Sequence, residues 1–214
     1  MVLSRLCDIR ENPNPLSLNN PAVPEPGPDE VLLEVLACGV CHTELDEIEG
    51  RTPPPFLPVI PGHEIVGRIV EVGDDVRIRQ VGERVGVGWF FSSCGSCRYC
   101  LAGNENLCSE FKATGRDADG GYAEFIAVPG DSAFPIPDYL SDTSAAPLLC
   151  AGAIGYRSLR LSGIKNGDSL GLTGFGGSAH LVLKMAKFRY PDTEVFVFAR
   201  NPGEREFAIE LGAS

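Results

Sequence analysis

The 214-residue chain lacks any apolar run long enough to cross a bilayer, and its start, MVLSRLCDIR, lacks the apolar stretch and cleavage site of a secretion signal. A cytoplasmic protein with no membrane partner is therefore expected. The chain is also poor in basic charge: 18 Lys and Arg stand against 29 Asp and Glu, for a formal net charge of −11. Such an excess of acid works against nucleic acid or an anionic membrane as partner and leaves small substrates open. No internal repeat and no low-complexity tract is found. The remaining composition, 43% hydrophobic and 22% charged, is that of a globular chain able to bury one large core or two smaller ones.

Cysteine, by contrast, is plentiful. Eight cysteines without a secretion signal read as metal ligands before disulfides, and four of them fall within fifteen residues. Cys94, Cys97, Cys100 and Cys108 form the pattern C-x2-C-x2-C-x7-C. Four thiolates this close can complete a tetrahedron around Zn²⁺ with no position left for a substrate, so such a site braces a loop. Gly95 and Gly103 allow tight turns that bring N–H groups near the sulfurs. Disulfides, unrelated buried thiols or an iron–sulfur cluster are the rival uses of this spacing.

Along the chain, residues 1–30 are rich in Pro and Asn and read as extended surface chain. VLLEVLACGV, EIVGRIVEVGDDV, VGERVGVGWF and GGYAEFIAVP are short strands between Gly and Pro turns, which predicts a small barrel or rolled sheet. The character changes after about residue 140. TSAAPLLCAGAIGYRSLRLSG is helix-prone, and strand, helix, strand, helix then follow through SLGLT, HLVLKMAKF, TEVFVFAR and PGEREFAIELGA. That order opens a doubly wound parallel sheet, with the boundary near Cys150.

GFGGSA, from Gly174 to Ala179, fits the dinucleotide pattern between a strand and a helix. Gly174 allows the turn, Gly176 and Gly177 leave room for a pyrophosphate on backbone N–H groups, and Ala179 permits close helix–strand packing. A tight turn with no ligand would look alike. The second strand ends in Ala199-Arg200-Asn201 where NAD recognition calls for a carboxylate. Arg200 could pair with a 2′-phosphate, which favours NADP(H) over NAD(H), or it could simply be solvated.

A catalytic zinc keeps three protein ligands and one exchangeable position, where it lowers the pKa of a bound water or alcohol. Cys41, His63 and Cys150 are candidates, each flanked by small or turn-forming residues, but they lie 22 and 87 positions apart and spacing alone does not join them. Taken alone, Cys150 on its apolar segment reads as core. Cys7 and Cys38 read as ordinary thiols, and His180 as a packing or surface residue.

GVCHTEL, PGHEIVG, GERVGVGWF, SCGSCRYCLAGNENLC and APLLCAG follow one another as they do in the zinc-containing medium-chain dehydrogenases, and the chain resembles the zinc-dependent alcohol dehydrogenases of that family along its whole length. The resemblance implies a mixed α+β and α/β chain. A GroES-like β-barrel catalytic domain occupies 1–150, and the N-terminal part of a Rossmann dinucleotide-binding domain, C-terminally truncated, occupies 151–214. It assigns Cys41, His63 and Cys150 to a catalytic zinc and the four-cysteine cluster to a structural one. Glu64 becomes the carboxylate behind the metal, Thr43 the hydroxyl that takes the substrate proton, and Glu44 the acid that orders the site. His42 would lie near the cofactor pyrophosphate, while Trp89 and Phe90 would line an apolar substrate pocket. Asp46 stands where many members carry the His of a proton relay. The implied reaction moves a hydride between an alcohol or aldehyde and NAD(P)(H), in a protein that is a homo-oligomer at full length. A zinc-binding fragment without turnover is the alternative, and the paired metal motifs argue against a zinc-free quinone reductase.

Overall fold

Val31 and Leu33, Val85 and Val87, and Ile126 and Val128 are pairs two residues apart, the spacing that places both side chains on one face of a strand. The computed structural model, which describes residues 1–214, buries all six in one cluster with Ile65, Ile69 and Ala133. The chain divides into two compact units, Met1–Leu149 and Cys150–Ser214.

In the first unit, β1 (Val2–Leu3) pairs with β2 (Leu16–Ser17). β3 (Glu30–Cys38) is followed by a short helix, α1 (His42–Ile48), and by β4 (Ile65–Val72). β5 (Arg84–Val87) leads to β6 (Phe90–Ser92), which pairs across the four-cysteine loop with β7 (Lys112–Ala113). β8 (Phe125–Pro129) and β9 (Phe134–Pro135) complete the strands. The main sheet is antiparallel, in the order β8-β3-β4-β5-β9. It does not close into the expected barrel: β8 and β9 remain its two edges. Irregular register between β3 and β4, at Leu32/Leu33 and Val35/Ala37, bends the two longest strands.

The helix-prone stretch after residue 140 is not one helix. α2 (Asp142–Ala145) gives way to a 3₁₀ turn over Ala146–Leu149. Pro147, which has no N–H to donate, sits in that turn. α2 is capped by Ser141, whose hydroxyl accepts from the Ser144 N–H at 3.2 Å.

In the second unit, α3 (Ala151–Leu161) precedes β10 (Ser169–Thr173), α4 (Gly177–Arg189), β11 (Glu194–Phe198) and α5 (Pro202–Glu210). β10 and β11 are parallel, joined through α4, which is the βαβ connection of a Rossmann-type unit. Leu159, Val182, Leu183, Ala186, Val195 and Ala208 form its core. α5 starts where the sequence allows it, with Pro202 in its first turn and the Asn201 side chain accepting from the Gly203 N–H at 2.9 Å. No helix in the chain is long and apolar enough to cross a membrane.

Candidate functional site

The four-cysteine loop is built from local chain. Its sulfurs lie 3.5 Å apart for Cys97 and Cys100, 3.5 Å for Cys94 and Cys108, and 3.9 Å for Cys94 and Cys100. All four lie within 4.8 Å of one another. Sulfurs about 2.3 Å from a tetrahedral Zn²⁺ stand about 3.8 Å apart, whereas a disulfide needs about 2.0 Å, so the spacing fits the metal and not two cross-links. Gly95 and Gly103 both take left-handed backbone, at φ 69°. The Cys97 N–H reaches the Cys94 sulfur at 3.4 Å, and the Glu110 N–H reaches Cys108 at 3.3 Å. Such donors favour the thiolate: the N–H groups of Ser96 and Cys97 bring Cys94 down to about 6.

The second group of donors comes from distant segments of the first unit. Cys41 directly precedes α1, and His63 and Glu64 directly precede β4. One ligand atom from each of Cys41, His63 and Glu64 falls within 4.8 Å of the others. His63 is 1% exposed and Glu64 4%, so this is an interior site. A single carboxylate ties the pair together. Glu44, itself 2% exposed, accepts the Cys41 N–H on Oε2 at 2.7 Å, and its Oε1 lies 2.6 Å from His63 Nδ1. His63 Nε2 is buried with no hydrogen-bond partner in the protein. A buried imidazole nitrogen left bare costs desolvation free energy, which a metal ion at that position would offset. With Nδ1 held by a carboxylate and Nε2 bare beside a thiol, the donor set fits Zn²⁺.

Glu64 is admitted by Gly39. A Cβ on Gly39 would stand 1.9 Å from Glu64 Oε2, and the Gly39 N–H donates to the Glu64 carbonyl at 2.9 Å. The Thr43 hydroxyl lies 3.5 Å from the Cys41 sulfur. Trp89 packs edge-on to His63, with centroids 5.1 Å apart, and Phe90 meets Phe111 at 5.8 Å. Asp46 is engaged at the surface: Arg51 binds its Oδ1 through Nε and Nη2, both at 2.5 Å, while His42 Nε2 stands 4.0 Å away. Cys38 is kept a thiol, pushed up to about 12 mainly by burial, and Cys7 accepts from Asn12 at 3.6 Å. A cleft of about 960 Å³ in the first unit, beside residues 18–24, reaches Cys38 and Tyr122 but neither Cys41 nor His63.

In the second unit, Cys150 is the first residue, preceding α3 with φ −121° and ψ −77°. The glycine turn opens a cleft of about 470 Å³ lined by Gly174, Phe175, Gly176, Phe198, Ala199, Arg200, Asn201 and Glu204. Gly174 takes φ 80°, which a side chain would resist, and its N–H donates to the Phe198 carbonyl at 2.9 Å. Nothing stands within 4 Å of a Cβ placed on Gly176, and Gly177 starts α4, whose first N–H groups have no carbonyl partner within the helix. Ala179 packs into the unit's core, and the His180 Nδ1 lies 3.2 Å from the Gly176 carbonyl. Arg205 Nη1 donates to the Ala199 and Arg200 carbonyls at 2.8 and 2.9 Å.

Sequence reading missed α1 and Glu204. The Cys41-x-x-Glu44 spacing is a capping box with a thiol in place of the usual hydroxyl, and that signal was available. Glu204 lines the same cleft as Arg200; it lies on α5 and not at the strand end where such a carboxylate is looked for.

Comparison with known proteins follows the same lines. The profile of the "Alcohol dehydrogenase GroES-like domain" family matches residues 27–138. A probable alcohol dehydrogenase, AdhA, of Mycobacterium tuberculosis is 47% identical over 205 residues, 94% of this chain and 59% of its own length. The solved cinnamyl alcohol dehydrogenase of Sorghum bicolor superposes with a TM-score of 0.83 at 35% identity, over 90% of this chain and 57% of its own. A Helicobacter pylori enzyme solved with NADP(H) gives a TM-score of 0.81 at 34% identity, over 88% and 56%. The chain thus spans less than two thirds of the length of each.

Proposed function

From the premise that this chain belongs to the alcohol dehydrogenase GroES-like family, we propose that it forms the metal site and the first part of the nucleotide site of a zinc-dependent oxidoreductase acting on an alcohol or aldehyde with NAD(P)(H). The observation that carries the reading is the bare Nε2 of buried His63, beside Cys41 and opposite the Nδ1 that faces Glu44. Cys150, in the APLLCAG motif directly after Leu149, is assigned as the third ligand on the strength of that motif. When bound there, Zn²⁺ acts as a Lewis acid that makes an alcohol hydroxyl acidic near neutral pH.

The chain's own groups have distinct tasks. Glu44 fixes the His63 tautomer and orientation and braces Cys41 through its backbone. Glu64 supplies a further oxygen for ligand exchange, and Thr43 receives the substrate hydroxyl proton. Trp89 and Phe90 offer apolar walls that select carbon chains over polar ones. His42 is assigned to the cofactor pyrophosphate and Asp46 to the proton relay, where Arg51 already competes for its oxygen. In the second unit Gly174, Gly176, Gly177 and Ala179 shape the pyrophosphate seat. Arg200 favours a 2′-phosphate and Glu204 opposes it. The four-cysteine loop is assigned a second, structural zinc. A cytoplasmic setting and a homo-oligomeric full-length protein complete the reading.

Steady-state oxidation of a series of primary alcohols with NADP⁺ and NAD⁺, before and after chelation, tests the reaction. Turnover lost on chelation and restored by Zn²⁺ supports it. Two bound zincs with no turnover would favour the alternative, a zinc-binding fragment without catalysis.

A further inference from the structure

Trp89 is the only tryptophan in the chain, and its indole is held from two directions. The His63 ring meets it at 78°, and the Arg116 guanidinium stands 5.7 Å from its ring centroid. Arg116 is in turn anchored by Asp117, whose Oδ2 accepts from Nε at 3.0 Å, from Nη2 at 2.7 Å and from the Ala113 N–H at 2.8 Å. The same turn reaches Trp89 through the backbone, where the Thr114 N–H donates to the Trp89 carbonyl at 3.0 Å. Arg116 also acts on α1. Glu47, 1% exposed, has no hydrogen-bond partner on either oxygen. Burial and then the charge of Glu44 push its carboxyl up to about 8, against the downward pull of Arg116. This arginine therefore bears on two neighbours of His63: the indole against the imidazole, and, through its charge on Glu47, the helix that carries Glu44.

We infer that Arg116 is a positioning residue for the metal centre: with Asp117 it seats the Trp89 indole against His63 and so steadies that imidazole as a ligand. The cation over the ring and the fork on Asp117 restrict the indole, and the edge-on indole restricts the imidazole on the flank that Glu44 does not hold. The inference rests on the reading of His63 as a metal ligand.

The test compares the full chain with Arg116→Met, which keeps the stem and removes the charge, by two measurements. Acrylamide quenching of the sole tryptophan reports how firmly the indole is seated. Release of Co²⁺, exchanged for Zn²⁺, to a chelator reports each metal site separately, because an all-thiolate site and a thiolate–imidazole site absorb differently. We expect the quenching constant to at least double. Release from the His63 site should quicken by about tenfold, the low end of what loss of a supporting partner costs a metal ligand, with release from the four-cysteine loop unchanged. Unchanged quenching, or faster release from both sites alike, overturns the inference. Should Arg116→Met fail to fold, Asp117→Asn frees the guanidinium and carries the same test. If His63→Ala releases Co²⁺ just as the parent does, the metal reading has failed, and the quenching comparison still decides whether Arg116 seats Trp89.

Discussion

The four-cysteine loop and the His63 site gather their donors in opposite ways, one from thiols alone and the other from a thiol, an imidazole and a carboxylate. The loop takes all its donors from residues 94–108, with Cys108 buried and backbone N–H groups turned onto the sulfurs. The His63 site draws on segments more than twenty residues apart, has His63 and Glu64 in the interior, and is ordered by a carboxylate that reaches both the Cys41 backbone and His63. A loop that supplies four thiolates leaves a metal no free position, so it can only hold chain together. A site assembled from separate segments can keep one side open, and it then needs a second layer, here Glu44, Gly39 and Trp89, to hold what the chain does not.

If the two are independent, Cys97→Ser should have the largest single effect on metal content. Elemental analysis should show one equivalent lost, limited proteolysis should now cut within 94–108, and the His63 site should keep its ion. Loss of both ions would break the comparison at once. His63→Ala is the mirror experiment, expected to abolish turnover and remove the other equivalent while the loop stays resistant to protease.

Glu44→Gln tests the shared carboxylate, and competition with a chromophoric chelator should find Zn²⁺ affinity at the His63 site reduced about 10- to 100-fold. Gly39→Ala forces a Cβ to within 1.9 Å of Glu64 Oε2. Urea titration should register a loss of about 1–3 kcal/mol, the usual range for overpacking, with the cysteine loop indifferent.

The smallest effect concerns Glu47. Its carboxyl is raised from the ordinary 4.5 to about 8, so the folded chain holds the proton more tightly than the unfolded one. Stability from this group is therefore full below about 4.5 and declines as pH rises through about 8. Glu47→Gln removes that slope: its Tm should match the parent's at acid pH and exceed it above about 8, and a parallel offset at all pH values would refute the assignment.

Much of this was legible before any coordinates. The apolar run VLLEVLAC and the alternation in EIVGRIVEV mark β3 and β4, and the strand–glycine–helix order marks the βαβ unit, because period and turn chemistry are local properties. The helix-prone stretch around Cys150 is helical, but in three pieces, with Pro147 in the 3₁₀ turn between α2 and α3. α1 was passed over because Cys is not a usual cap. Arg116 and Glu47 gave no sign at all: a charge in a turn and an acid on a short helix look solvated until the fold buries one and lays the other over an indole.

What the sequence determined by itself is the four-cysteine site, since fifteen residues of chain with two glycine turns leave the sulfurs few arrangements other than a cluster. The tertiary structure alone decided that Glu44 reaches both the Cys41 backbone and His63, that Gly39 makes room for Glu64, and that the sheet stays open between β8 and β9. Those contacts join residues whose separation along the chain sets no distance between them. It is the register of β3 on β4, with its two irregular steps, that carries the start of α1 up to His63.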